Sequence, residues 1–186
     1  MTGQRGRQAA ADGGTANQGG AARLRAMVPA DLVDVIALEH ELFPDDPWTP
    51  EMFADEVAQP PESRLYLLAE ADAGDGGIAD SDIVSGRGSA NGLVMAGYAG
   101  LMFIPGGTQA DVLTIAVRPA YWGQGIGSAL LGALLRAARS RDCTEVFLEV
   151  RADNPRAHGL YQRRGFEDLG VRRGYYQPKK SNLDHH

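Results

Sequence analysis

The stretch RPAYWGQGIGSALLGALLRAA, residues 118–138, sets Gly123, Gly125 and Gly127 between a strand-like run and a leucine-rich run. Upstream, DVLTIAV reads as a strand. Downstream, Leu130, Leu131, Leu134, Leu135 and Ala138 recur on one face of a helix. A strand that enters a glycine turn and then a helix points backbone N–H groups and the positive end of the helix dipole at one spot, which makes an anion site. The glycines remove the Cβ atoms that would hold a phosphate at a distance. A tight turn that binds nothing has the same sequence signature. A dinucleotide fingerprint needs a third glycine where Ser128 stands, and a nucleoside-triphosphate loop needs a Gly-Lys-Ser/Thr ending that is absent here.

The 186 residues are enough for one domain with a substantial core. A net charge of −6 argues against a chain that lives on nucleic acid, because Lys and Arg supply most non-specific phosphate affinity. An acidic surface suits a basic partner better. Cys143 is the sole cysteine, so no intrachain disulfide is expected, and the four scattered histidines offer no metal-ligand spacing. No apolar run is long enough to span a bilayer, and the opening MTGQRGRQAAADGGTANQGG lacks a signal-peptide core. A cytoplasmic protein, monomeric or weakly dimeric, is expected, without metal, membrane or nucleic-acid contacts.

Residues 1–22 show no periodic apolar face, and their composition predicts a disordered tail. From Arg23 the pattern changes. RLRAMV suits a strand, and Leu32, Val35, Ile36 and Leu42 fall near helical spacing. Thr49 followed by Pro50 opens a second helix. RLYLLAEA is a strand, residues 71–92 a flexible Gly/Asp/Ser-rich insertion, and LVMAGYAGLMFI and DVLTIAV two further strands. After the leucine-rich helix, TEVFLEV is a strand. NPRAHGLYQRRGF is a short helix with Asn154 as N-cap and Gly165 as stop, and EDLGVRRGYY is a last strand. Residues 179–186 form a tail. The order predicts a mixed α/β fold, with helices on both faces of one sheet.

Alternation along TEVFLEVR puts Val146, Leu148 and Val150 on one face and Phe147, Glu149 and Arg151 on the other. Glu149 is then a carboxylate in an apolar strand. It is either a structural partner of Arg151 or Arg173, or a general base raised towards neutrality by desolvation. Tyr161 lies seven residues past Asn154 and returns to about the same helical face. It is either an aromatic packed on the sheet or a phenol placed to give up a proton. Cys143 reads as a small buried residue rather than a nucleophile.

The glycine turn resembles the pyrophosphate loop of the GNAT family of N-acetyltransferases, Gln/Arg-x-x-Gly-x-Gly/Ala. Gly125 and Gly127 match its glycines, and Trp122 stands where Gln or Arg is usual. LEVRADNPRAHGLYQRRGF is similar to the second half of that fold, and most of all to the RimI branch, through Glu149, Arg151, Asn154, Ala157, Tyr161, Gly165 and Phe166. LEHELFPDDPW and RRGYY extend the match over residues 23–178.

The resemblance implies a GNAT fold with a mostly antiparallel central sheet. It implies transfer of acetyl from acetyl-CoA, by direct attack, to the N-terminal α-amino group of a protein, in the RimI branch the N-terminal alanine of a small-subunit ribosomal protein. The same fold also serves lysine side chains or small amines as acceptors. A non-catalytic acyl-CoA-binding module is the alternative outside enzymology.

By the same resemblance, Glu149 is the general base and Tyr161 the general acid. Main-chain groups of Ile115, Ala116 and Val117, the loop Trp122, Gly123, Gln124, Gly125, Ile126, Gly127 and Ser128, and Asn154 and Tyr161 hold acetyl-CoA. Phe43, Asp45 and Trp48, with Glu149, Arg173, Tyr175 and Tyr176, form a partly acidic slot for a basic N-terminal peptide. The family continues past the double tyrosine with a turn and a final strand. This chain ends QPKKSNLDHH, so its closing hairpin is expected to lack that strand.

Overall fold

The computed structural model describes residues 2–9, 22–72, 92–151 and 153–173. These form β1 (Thr2–Ala9), β2 (Arg23–Ala26), α1 (Leu32–Leu42), α2 (Pro50–Val57), β3 (Arg64–Asp72), β4 (Leu93–Phe103), β5 (Gln109–Val117), α3 (Ile126–Arg139), β6 (Glu145–Arg151), α4 (Pro155–Arg163) and β7 (Glu167–Arg173). Short 3-10 turns over Pro29–Asp31 and Pro119–Tyr121 lead into α1 and towards α3. The described residues fall into two compact units, one within residues 9–146 and the other within residues 2–8 and 147–173.

In the larger unit β2, β3, β4 and β5 are antiparallel neighbours in chain order. Val35, Leu38 and Phe53 of α1 and α2 are fully buried against Tyr66, Leu68, Met95 and Tyr98. On β4, Phe103 lies on the opposite face from Tyr98, because the two are five positions apart in a strand of period two. The Arg141 guanidinium, just past α3, stacks 3.9 Å from the Phe103 ring centroid. Helix α3 therefore covers the second face, burying Ile126, Leu130, Leu131, Leu134, Leu135 and Ala138. The predicted leucine face is the one the helix uses.

Thr49 caps α2 as expected, its side chain accepting from the Met52 N–H at 3.3 Å, with Pro50 at the first helical position. Two register shifts bend the sheet. One leaves Ala96 as an extra residue in β4 opposite Ala69/Glu70, and the other leaves Leu113 extra in β5 opposite Gly100/Leu101. β3 runs through Ala71 and Asp72, which pair with Val94 and Leu93. Those two residues belong to the strand and not to the expected insertion, whose residues 73–91 lie outside the described ones.

In the smaller unit the strand order is β6, β1, β7. The disordered tail predicted for residues 1–22 is therefore wrong for residues 2–9. Strand β1 pairs antiparallel with β7 from Thr2↔Arg173 to Arg7↔Glu167, with a register shift at Arg5/Gly6. A strand following β7 through a tight turn would run in this direction. β1 thus lies between β6 and β7, antiparallel to β7.

The misreading has a physical cause. TGQRGRQA has no apolar alternation, and what holds it is backbone pairing on both edges. Side-chain contacts add to this: the Arg5 guanidinium sits 4.7 Å from the Phe147 ring centroid. A Cβ on Gly6 would lie within 3.7 Å of Leu148 and Phe166 side chains, so the strand lies close against that core.

Deleting residues 2–9 should leave the larger unit folded while amides of residues 167–173 lose hydrogen-exchange protection; unchanged protection there would overturn the pairing. Within the larger unit, a Cβ at Gly100 would lie 2.4 Å from Tyr66 Cε1. Gly100→Ala should cost about 1–3 kcal/mol and lower Tm by several degrees in a thermal melt.

Candidate functional site

The sequence-predicted residues fall into two groups, one in each unit. In the larger unit, the Arg118 N–H donates to the Ala96 carbonyl at 2.9 Å, so Arg118 spends its backbone on β4. Hydrogen-bonding positions alternate along an antiparallel strand, and Ala116 and Arg118 therefore face β4. The N–H and C=O groups of Ile115 and Val117 point the other way. Trp122 confirms this direction at one atom, since its indole Nε1–H donates to the Val117 carbonyl at 2.7 Å. The side chain that departs from the expected Gln/Arg thus ties the turn to the end of β5, with 44% of its surface exposed.

The turn is built as the glycines suggested. Gly123 has φ 78° and Gly125 φ 82°, left-handed values that L-residues with side chains adopt at a cost. Gly125 is the N-cap of α3, with no side-chain cap, and its carbonyl accepts the first intrahelical bond from the Ala129 N–H at 2.9 Å. A helix start leaves N–H groups without intrahelical partners, and the N-cap Gly125 brings no side chain to them. Cβ atoms built on Gly123 or Gly125 would meet nothing within 4 Å. Open space lies before the turn, and the arrangement fits a pyrophosphate.

The first helix–helix connection supplies the acceptor candidates. Phe43 and Trp48 are half-buried and pack against the α1/α2 core, while Asp45 and Asp46 are exposed. Sequence reasoning missed the residue beneath them. Glu39 is 4% exposed; its Oε1 accepts from the Trp48 N–H at 3.2 Å and its other oxygen from the Tyr98 hydroxyl. Burial pushes the Glu39 carboxyl above its ordinary value, against the two hydrogen bonds that favour the charged form, and burial likewise pushes the Tyr98 phenol up. The signal was in the sequence, as Glu39 stands four residues after Val35, on the apolar stripe.

In the smaller unit, β6 alternates as read: Val146, Leu148 and Val150 are buried, and Phe147, Glu149 and Arg151 are half-buried. One Glu149 carboxylate oxygen, Oε2, is shut off from solvent. Arg151 forms a two-bond ion pair with Asp153, both at 3.1 Å. Asn154 caps α4 through its Oδ1, which accepts from the Ala157 N–H at 3.0 Å. The helix ends at Gly165 (φ 80°), with the Phe166 N–H returning to the Tyr161 carbonyl and the Gly165 N–H to that of Gln162.

That stop brings the Phe166 ring to 5.8 Å from the Tyr161 ring. Desolvation alone pushes the Tyr161 hydroxyl up to about 12, so it remains a protonated donor throughout the neutral range. Arg173 lies at the end of β7, paired with Thr2. Tyr175 and Tyr176 lie outside the described residues. A cavity of about 400 Å³ lined by Arg23, Arg25, Asp31, Asp34 and Glu70 shares no residue with either group, and its Arg25 is engaged by Asp31 and Glu70.

Residues 32–166 match the acetyltransferase (GNAT) family. An N-alpha-acetyltransferase RimI of Mycobacterium tuberculosis is 38% identical over 82% of each chain. A putative ribosomal protein bS18-alanine N-acetyltransferase of Bacillus subtilis is 29% identical over 83% of this chain and 87% of its own. The crystal structure of the ribosomal protein alanine N-acetyltransferase of Escherichia coli superposes with a TM-score of 0.63 at 26% identity, covering 86% of both chains.

Gly125→Ala should weaken coenzyme A binding by roughly tenfold or more, because a side chain disfavours φ 82° by about 1–2 kcal/mol and projects into the space before the turn. Isothermal titration would measure it, and an unchanged Kd would remove the turn from the ligand site.

Proposed function

We propose, from the premise that this chain belongs to the acetyltransferase (GNAT) family and is an acetyl-CoA-dependent N-acetyltransferase, that its acceptor is the N-terminal α-amino group of a protein. The acceptor we assign is the N-terminal alanine of a small-subunit ribosomal protein, and we place the reaction in the cytoplasm. The observation that carries this reading is the β6–α4 segment, where a half-buried Glu149 and the Tyr161 phenol, its ring against Phe166, accompany the Asn154 cap and the Gly165 stop. Relatives matching over most of the chain are named for N-α-acetylation and for ribosomal protein alanine acetylation. Among the described residues, no helix is long and apolar enough to cross a membrane.

Acetyl-CoA supplies an activated acetyl thioester. The Gly123–Ser128 turn would hold its pyrophosphate, and the outward N–H groups of Ile115 and Val117 would hold the acyl carbonyl oxygen where negative charge develops. An α-amino group has a pKa near 8, so much of it is protonated at neutral pH and needs a base. Glu149 takes that proton, directly or through one water. The amine nitrogen then bonds to the acyl carbon, the carbon–sulfur bond breaks as the Tyr161 hydroxyl protonates the departing sulfur, and the nitrogen gives up its second proton, directly or through water, to restore that phenol. Exposed Asp45 and Asp46 favour an acceptor whose first residues are basic.

Acetylation of a basic peptide with a free N-terminal alanine, but not of the same peptide with that amine blocked, is the expected result of a thiol-release assay read out by mass spectrometry. Modification of a lysine in the blocked peptide would move the acceptor to side chains. Glu149→Gln and Tyr161→Phe should each lower kcat by about 10²- to 10⁴-fold with little change in acetyl-CoA Kd. Because a raised phenol pKa favours the neutral form, the acid role of Tyr161 should persist to about pH 11 or beyond. A kcat profile that falls between pH 8 and 10 in wild type, and not in Tyr161→Phe, would contradict the assignment.

A further inference from the structure

The connection between α1 and α2 has little structure of its own. Within it, the Asp46 N–H donates to the Phe43 carbonyl at 3.2 Å, and the next amide bond, from Trp48, goes to a side chain, that of Glu39. Glu39 occupies a place on α1 that an apolar residue would fill at lower cost, since an ionisable group 4% exposed has given up its hydration. Its two oxygens reach two different elements.

Around them runs a closed circuit. Glu39 accepts from Trp48; the Trp48 ring lies 5.2 Å from Phe53; Phe53 lies edge-on to Tyr98 at 5.9 Å; and Tyr98 donates back to Glu39. Three of the four residues are within 4% of full burial, and the fourth, Trp48, is the one that belongs to the connection. Removing the carboxylate opens the circuit at both of its hydrogen bonds and leaves the ring contacts as the connection's remaining anchor.

We infer that Glu39 is a positioning residue for the acceptor, tethering the 43–48 connection so that Phe43, Asp45 and Trp48 are presented in one arrangement. This rests on the assignment of that connection to the acceptor. No residue of the glycine turn or of Ile115–Val117 belongs to the circuit; it reaches the acceptor connection directly and β5 only through Tyr98, which stands opposite Ala116. Misplacement of binding groups by small distances costs rate or affinity for the group they hold.

Steady-state kinetics on Glu39→Ala and Glu39→Gln test the inference in the full chain. Glu39→Ala should raise the acceptor KM by roughly tenfold while kcat and the acetyl-CoA Kd stay within about twofold. Glu39→Gln, which keeps an acceptor oxygen for the Trp48 N–H, should recover much of that loss and keeps the test valid should the alanine variant fold poorly. A rise in acetyl-CoA Kd in step with the acceptor KM would mark a merely structural residue and overturn the proposal, as would an unchanged acceptor KM.

An independent readout uses Trp48 as the sole tryptophan in a Trp122→Phe background, where Glu39→Ala should red-shift its emission and increase acrylamide quenching. An unshifted spectrum also overturns the tether. If the wild type leaves the alanine peptide unmodified and acetylates a lysine peptide, the acceptor assignment fails, and the same KM comparison is run with that peptide.

Discussion

An antiparallel strand has backbone hydrogen-bonding groups on both edges and spends each residue on one side only. On β5 the bond from Arg118 to Ala96 fixes which side is which. Everything proposed for the acyl donor follows from that parity. With Ala116 and Arg118 committed to β4, the backbone groups of Ile115 and Val117 turn outward, and the chain then passes through the 3-10 turn of Pro119–Tyr121 into the left-handed glycines and a helix whose N-cap has no side chain. A one-residue change of register would exchange the two sets. The bulge at Leu113 lies just before this segment, where the count is set.

Much of this was legible in the sequence, because the forces involved are local. Thr49 and Asn154 are caps that bond amides three residues on, and both do so. The α3 leucine stripe and the β6 alternation follow from periods of 3.6 and 2. Strand β1 was hidden because its pairing is non-local and its side chains carry no apolar pattern, so composition pointed to disorder. Glu39 was hidden for a different reason: its partner Tyr98 is 59 residues away, and a carboxylate on an apolar stripe shows nothing by itself of what it will meet. Trp122 departs from the expected motif residue, and only its bond to the Val117 carbonyl shows that the departure adds a contact.

Within the larger unit, the residues proposed for the acyl donor and those proposed for the acceptor differ in what supports them. Backbone geometry carries the donor side and tolerates varied side chains, as Trp122 illustrates. The acceptor side depends on side chains in an irregular connection, and there the structure invests a buried carboxylate. A polar group buried at cost is informative in proportion to that cost.

The pairing of Thr2 with Arg173 bears on how the chain is made. Contacts between segments so far apart in sequence form late, after the loop between them has closed. During synthesis β1 emerges well before both of its neighbours, and a product that stalls ahead of β7 holds a strand with an unpaired edge, which proteases and other exposed strands recognise. The edge of β1 that pairs with β7 thus stays open until β7 has been made, and this pair is among the last of the sheet to close.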